Sequence, residues 1–131
     1  MATMADSEKI TINLGPIDLG QIDLLVQEGF YANRTDFIRT AIRNQLAAHA
    51  EAVRQTVARK TLVLGLQHYT RRDLEAARAA GGRLQINVLG LATIANDVSP
   101  ELALAAIESI TVLGAFRASA AVKRALASRI A

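Results

Sequence analysis

The sequence contains no cysteine, which excludes a disulfide framework, thiolate metal sites and a cysteine nucleophile. Tryptophan is absent too, and the aromatics are two tyrosines and three phenylalanines. Stacking platforms for single-stranded nucleic acid need more than that. The two histidines, His49 and His68, are far apart and make no metal motif by themselves. The longest near-continuous apolar run, Val88 to Ala95, includes a glycine and falls well short of the roughly 20 residues a membrane-spanning helix needs. The first residues, MATMADSEK, are polar and lack the apolar stretch of a signal peptide. No paired carboxylates, nucleophile-and-base set or phosphate-binding loop is visible. The expectation is therefore a cytoplasmic protein that is not an enzyme, with no catalytic residue, metal, cofactor or membrane partner.

What is present favours a folded chain. Of 131 residues, 51% are apolar and 21% charged, enough for one ordinary domain or two small ones. The formal charge is +3. Residues 1–60 carry seven basic and seven acidic side chains, and residues 61–131 carry eight and five, so the excess lies in the second part. If the first part binds nucleic acid, it does so with a few placed groups rather than a broad basic surface.

Residues 1–8 read as a flexible tail. Residues 9–14 alternate with period two: Ile10, Ile12 and Leu14 on one side, Lys9, Thr11 and Asn13 on the other, the pattern of a half-buried strand. Gly15-Pro16 ends it. Ile22, Leu25 and Val26 recur at helical spacing within a helix over 17–28, which Gly29 closes. Asn33 is an N-cap with Asp36 three positions on, opening a second helix whose apolar stripe is Phe37, Ile38, Ala41, Ile42 and Leu46. The stripe continues weakly through Val53 and Val57, with a break expected near 47–50. One strand and two helices bury too little surface alone, and the strand has no local partner. The economical solution is a dimer in which two copies pair their strands antiparallel and interlock their helices.

The rest of the chain repeats itself. Val63-Leu64-Gly65, Val88-Leu89-Gly90 and Val112-Leu113-Gly114 recur at nearly constant offset. Each is followed by a polar break and a helix start, at Thr70 to Asp73, Ser99-Pro100 and Ser119. Helices are expected over 73–80, 100–107 and 120–130. The unit is strand, loop, helix, three times over, and such alternation implies parallel strands. The expected fold is thus α+β at the start (strand, helix, helix over 9–60) followed by a small α/β domain of three repeats over 61–131.

Residues 9–46 resemble a ribbon-helix-helix domain of the CopG/Arc/MetJ type. The strand Thr11–Leu14, the Gly29 turn and the run Asn33-Arg34-Thr35-Asp36-Phe37-Ile38-Arg39 carry the resemblance. The strand departs from the strongest members in having a single basic residue, and the resemblance does not extend to 61–131. It implies a homodimer whose two-stranded ribbon enters the DNA major groove, which is wide enough for two strands. Lys9, Thr11 and Asn13 would then meet base edges. Lysine donates to guanine, asparagine pairs with adenine, and threonine offers a hydroxyl and a methyl. Asn33, Arg34 and Thr35 surround the start of the second helix, where free N–H groups attract phosphate. Arg34 has a second role open to it, pairing with Asp36. Arg39 and Arg43, one helical turn apart, are placed on the exterior or paired with acidic neighbours.

Three functions compete. The first is a transcriptional repressor acting on a double-stranded DNA operator. The second is an antitoxin whose second half binds a toxin, and the third is a self-assembling structural protein. A metal-sensing regulator would need clustered histidines. The apolar, periodic second half favours the repressor over the antitoxin, whose tail is usually polar and disordered. Residues 61–131 are assigned to oligomerisation, joining dimers and raising affinity by avidity.

Overall fold

The computed structural model describes residues 7–131. The tail expected over 1–8 lies outside the described residues, apart from Ser7 and Glu8. The chain divides into two compact units, 7–56 and 57–131.

In the first unit, residues 7–14 belong to no hydrogen-bonded ladder, so the strand expected over 9–14 is not formed within the single chain. A ladder needs a second strand, and this unit offers none. Helix α1 spans Pro16–Gln27, with proline at the position where its missing N–H is harmless. Gly29 has φ +84°, and Phe30 N–H and Gly29 N–H donate back to the Leu25 and Val26 carbonyls. That closure requires a residue at ease in the left-handed region. Helix α2 spans Arg34–Ala48, and after a break at His49 helix α3 runs over Ala50–Arg59, as the weakened stripe predicts.

In the second unit, strands and helices alternate. They are β1 Val63–Tyr69, α4 Arg71–Ala79, β2 Leu84–Ile94, α5 Pro100–Ala106, β3 Ile107–Arg117 and α6 Ala120–Ala125, followed by a 3-10 turn over Ala127–Arg129. Thr70, Ser99 and Ser119 cap the three helices, Thr70 in a reciprocal box with Asp73. Because Thr70 is the cap, α4 starts at Arg71, ahead of the expected 73. The last helix stops at Ala125, short of the expected 130, and tightens into the 3-10 turn. There Arg129 Nη1 donates to the Leu104 and Ile107 carbonyls, at 2.5 and 2.8 Å. These acceptors lie where α5 turns into β3 with no intervening loop. Ile130 bridges Ile110 at the β3 edge.

The strands pair in parallel in the order β1-β2-β3. Val63-Leu64-Gly65 lies beside Val88-Leu89-Gly90, which lies beside Val112-Leu113-Gly114. The sequence offsets are therefore the register of the sheet. Gly65, Gly90 and Gly114 form a row, all with positive φ (+128°, +141° and +122°). A Cβ on Gly90 would stand 2.2 Å from the Gly65 carbonyl oxygen, and one on Gly114 would stand 2.1 Å from that of Gly90. A side chain on Gly90 or Gly114 would collide with backbone, so close approach of the strands depends on glycine at those two positions.

One face of this sheet makes the core. Ile86, Val88, Ala92 and Ile94 of β2 and Ile110 of β3 pack with Leu74 of α4, Leu102 and Ala103 of α5 and Val122 of α6. Small alanines on the helices let them lie close to the strands. Alternation along the strands turns the other face away from this core. It carries two rows, Leu64–Leu89–Leu113 and Leu66–Leu91–Ala115, followed by His68–Thr93–Arg117. His68 Nδ1 is 2.5 Å from Thr93 Oγ1.

Candidate nucleic-acid interface

The candidate site lies in residues 7–56 and is built by α1, α2 and the segment preceding them. Lys9, Thr11 and Asn13 are all exposed on that segment. Ile10, Ile12 and Leu14, expected to face helices, are exposed as well: Ile10 to 74% and Ile12 to 55%. They line an apolar groove of about 850 Å³, together with Leu25 of α1 and Phe37 and Ile42 of α2. Ile22 is the one buried side chain of α1, and α2 buries none. The apolar stripes read from the sequence are present, but a single chain does not cover them.

The start of α2 is held in several ways. Asn33 Oδ1 accepts from Asp36 N–H at 2.8 Å, and Asp36 Oδ2 accepts from Ala32 N–H at 2.9 Å. The Tyr31 and Phe37 rings meet edge to face, with centroids 5.0 Å apart. The Arg34 and Thr35 amides find no protein acceptor among the described residues, as the geometry of a helix N-terminus dictates. All three phosphate-site candidates, Asn33, Arg34 and Thr35, sit on this one exposed turn.

Arg34 does not pair with Asp36. Its guanidinium makes a two-pronged ion pair with Asp23 of α1, Nε to Oδ1 at 2.7 Å and Nη2 to Oδ2 at 2.8 Å. The hydrogen bond to Arg34 holds the Asp23 carboxyl below its ordinary value, and the reciprocal bond raises the Arg34 guanidinium. Asp23 is a residue that sequence reasoning missed, because a pair from two helices leaves no trace at helical spacing. The available signal was the Gly29 turn. Residues at similar distances before and after a helix-turn-helix reversal approach each other, and Asp23 and Arg34 are such residues. The arrangement pins Arg34 at the N-terminus of α2 while leaving both side chains about half exposed.

Arg39 and Arg43 are exposed on α2. His49 and His68 fall in different units. Among the described residues, no group of three or more His, Asp or Glu is placed to hold a metal ion, and no helix is long and apolar enough to cross a membrane.

No curated protein and no solved structure matches this chain significantly. A family model does, over residues 5–123, running far past the 9–46 segment that carries the resemblance in sequence and through all three strands of the sheet. On that match, the chain belongs to the ribbon-helix-helix transcriptional regulator family.

Proposed function

We propose that this protein is a sequence-specific DNA-binding repressor that works as a homodimer. The observation that carries the reading is the uncovered apolar surface of residues 7–56. Ile10, Ile12 and Leu14 lie exposed beside an apolar groove that the chain does not fill. A second copy supplies what is missing. Its segment 9–14 pairs antiparallel with the first, and its helices cover the stripes of α1 and α2. Each large aliphatic side chain so removed from water contributes about 1.5–3 kcal/mol.

Pairing the two segments turns Lys9, Thr11 and Asn13 of both copies outward as one ribbon. In the major groove these six side chains read base edges. Asn33 and Thr35 present the N-terminus of α2 to a phosphate, and Arg34, oriented by Asp23, adds a cation beside it. The phosphate contacts set position on the duplex, and the ribbon sets sequence preference. Two-fold symmetry calls for a palindromic or repeated operator.

The test is selection of bound duplexes from a random pool, followed by titration of the winner at two salt concentrations. The wild type is expected to enrich one symmetric motif and to bind it in a salt-sensitive, competitor-resistant way. Thr11→Ala/Asn13→Ala is expected to lose about 1–3 kcal/mol per base contact on that motif while keeping non-specific binding. A folded dimer that enriches no motif, or a double variant with unchanged preference, would refute the ribbon mechanism.

A further inference from the structure

The second unit carries a self-association surface of its own. We infer that the sheet face turned away from the helices packs against the same face of a second copy of this chain.

Parallel sheets are ordinarily covered on both faces, because their strands are apolar on both sides. Here helices cover one face only. On the other, Leu64, Leu66 and Leu113 are 67%, 66% and 52% exposed. They are not scattered. The register sets Leu64, Leu89 and Leu113 side by side and Leu66, Leu91 and Ala115 beside them, giving one continuous apolar band. Contiguous exposure of this kind marks an interaction surface.

Three features select a second copy as the occupant. First, the two rows contain no charged residue, so stacking these rows on themselves opposes no like charges. They equally offer nothing to a nucleic acid or an acidic peptide. Second, the band is symmetric enough to match itself. Turning a copy about an axis along β2 sets Leu64 over Leu113 and Leu66 over Ala115, with Leu89 and Leu91 over their own equivalents. Third, the band is only six side chains. A stable interface between free partners takes about 800 Å² from each, more than these side chains provide alone. A copy already tethered needs far less, because tethering raises its effective concentration to about the millimolar range. The dimer of residues 7–56 supplies that tether, so in this respect the inference rests on the function proposed above.

The lack of cysteine makes the test direct. In the full chain, Leu91→Cys puts one thiol at the centre of the band, and Glu75→Cys puts one on α4, on the helix side. Each variant is treated with a bis-maleimide long enough to cross the roughly 10 Å between packed sheets. Sedimentation of the same samples gives the subunit number. Leu91→Cys is expected to cross-link two chains about tenfold or more above Glu75→Cys, and adding Leu66→Asp or Leu113→Asp is expected to abolish the difference, since the band cannot bury an unpaired carboxylate. Both aspartates replace side chains exposed in the single chain, so circular dichroism should remain that of the wild type. Leu91→Cys yields no higher than Glu75→Cys, in a chain that sediments as a dimer or larger, overturn sheet pairing and leave the ribbon dimer standing. The same yields in a monomeric chain overturn both. Cross-linking indifferent to the aspartates also overturns the proposal.

Discussion

Replacing Gly90 with alanine tests the physical account of the sheet most sharply. At φ +141°, an L side chain is strained by about 1–3 kcal/mol. Its Cβ would also stand 2.2 Å from the Gly65 oxygen, and since both atoms belong to paired backbones, relief requires the strands to part. Overpacking of this kind adds about 1–3 kcal/mol. The sum, about 2–6 kcal/mol, is a large share of the about 5–15 kcal/mol that holds an ordinary domain folded. Gly65→Ala is the control. Its φ is +128°, but nothing lies within 4 Å of its added Cβ, so it meets the strain without the collision. The gain from a stiffer unfolded chain is common to both and cancels in the comparison. Urea unfolding of the full chain, followed by circular dichroism at one protein concentration, measures the difference. Gly90→Ala should be the less stable by about 1–3 kcal/mol. Equal losses would show that the glycine row answers to backbone torsion alone and that its close approach to the neighbouring strand is irrelevant.

Two further predictions follow from side chains. Arg129→Ala leaves the Leu104 and Ile107 carbonyls without their cation and should cost about 1.5–3 kcal/mol, with Arg129→Lys recovering part of it in the same unfolding assay. Acid should weaken both units through their helix starts. Asp73 is held below its ordinary value of 3.8, first by the Thr70 backbone N–H and then by the Thr70 hydroxyl, and Asp23 is held below the same value by Arg34. A carboxyl whose folded value is depressed stabilises above its unfolded value and loses that contribution as pH falls through the folded one. Thermal unfolding between pH 5 and pH 2 should therefore show a loss beginning near pH 4, and Asp73→Asn should flatten it.

Much of the second unit was legible from three letters. Val-Leu-Gly recurs because each copy occupies the same place on adjacent parallel strands, and the caps recur because each helix starts at the same point. The extra length of the last helix was misread, since nothing local says that Arg129 must reach α5. The first unit was legible in its pattern and not in its burial. Ile10, Ile12, Ile42 and Leu46 have core spacing yet lie exposed, and the segment 9–14 has strand alternation yet no ladder. In the proposed dimer both discrepancies have one physical reason: periodicity records what a side chain ends up against, whichever molecule supplies it. The Asp23–Arg34 pair escaped because tertiary ion pairs have no period.

The repetition that aligns the sheet also carries a kinetic liability. Every strand presents the same motif to its neighbour, so β1 finds on β3 the leucine and glycine positions it is meant to find on β2. A chain that skips the middle strand, or borrows a strand from another molecule, satisfies the local pattern almost as well as the correct pairing. Discrimination falls to the helices, where Leu74, Leu102 and Val122 each fit one place beneath the sheet. Repeat proteins characteristically fail by such misassembly. Refolding yield should therefore fall with protein concentration more steeply than the size of this chain alone would suggest, and the trapped species should be exchanged multimers rich in native strands rather than disordered aggregate.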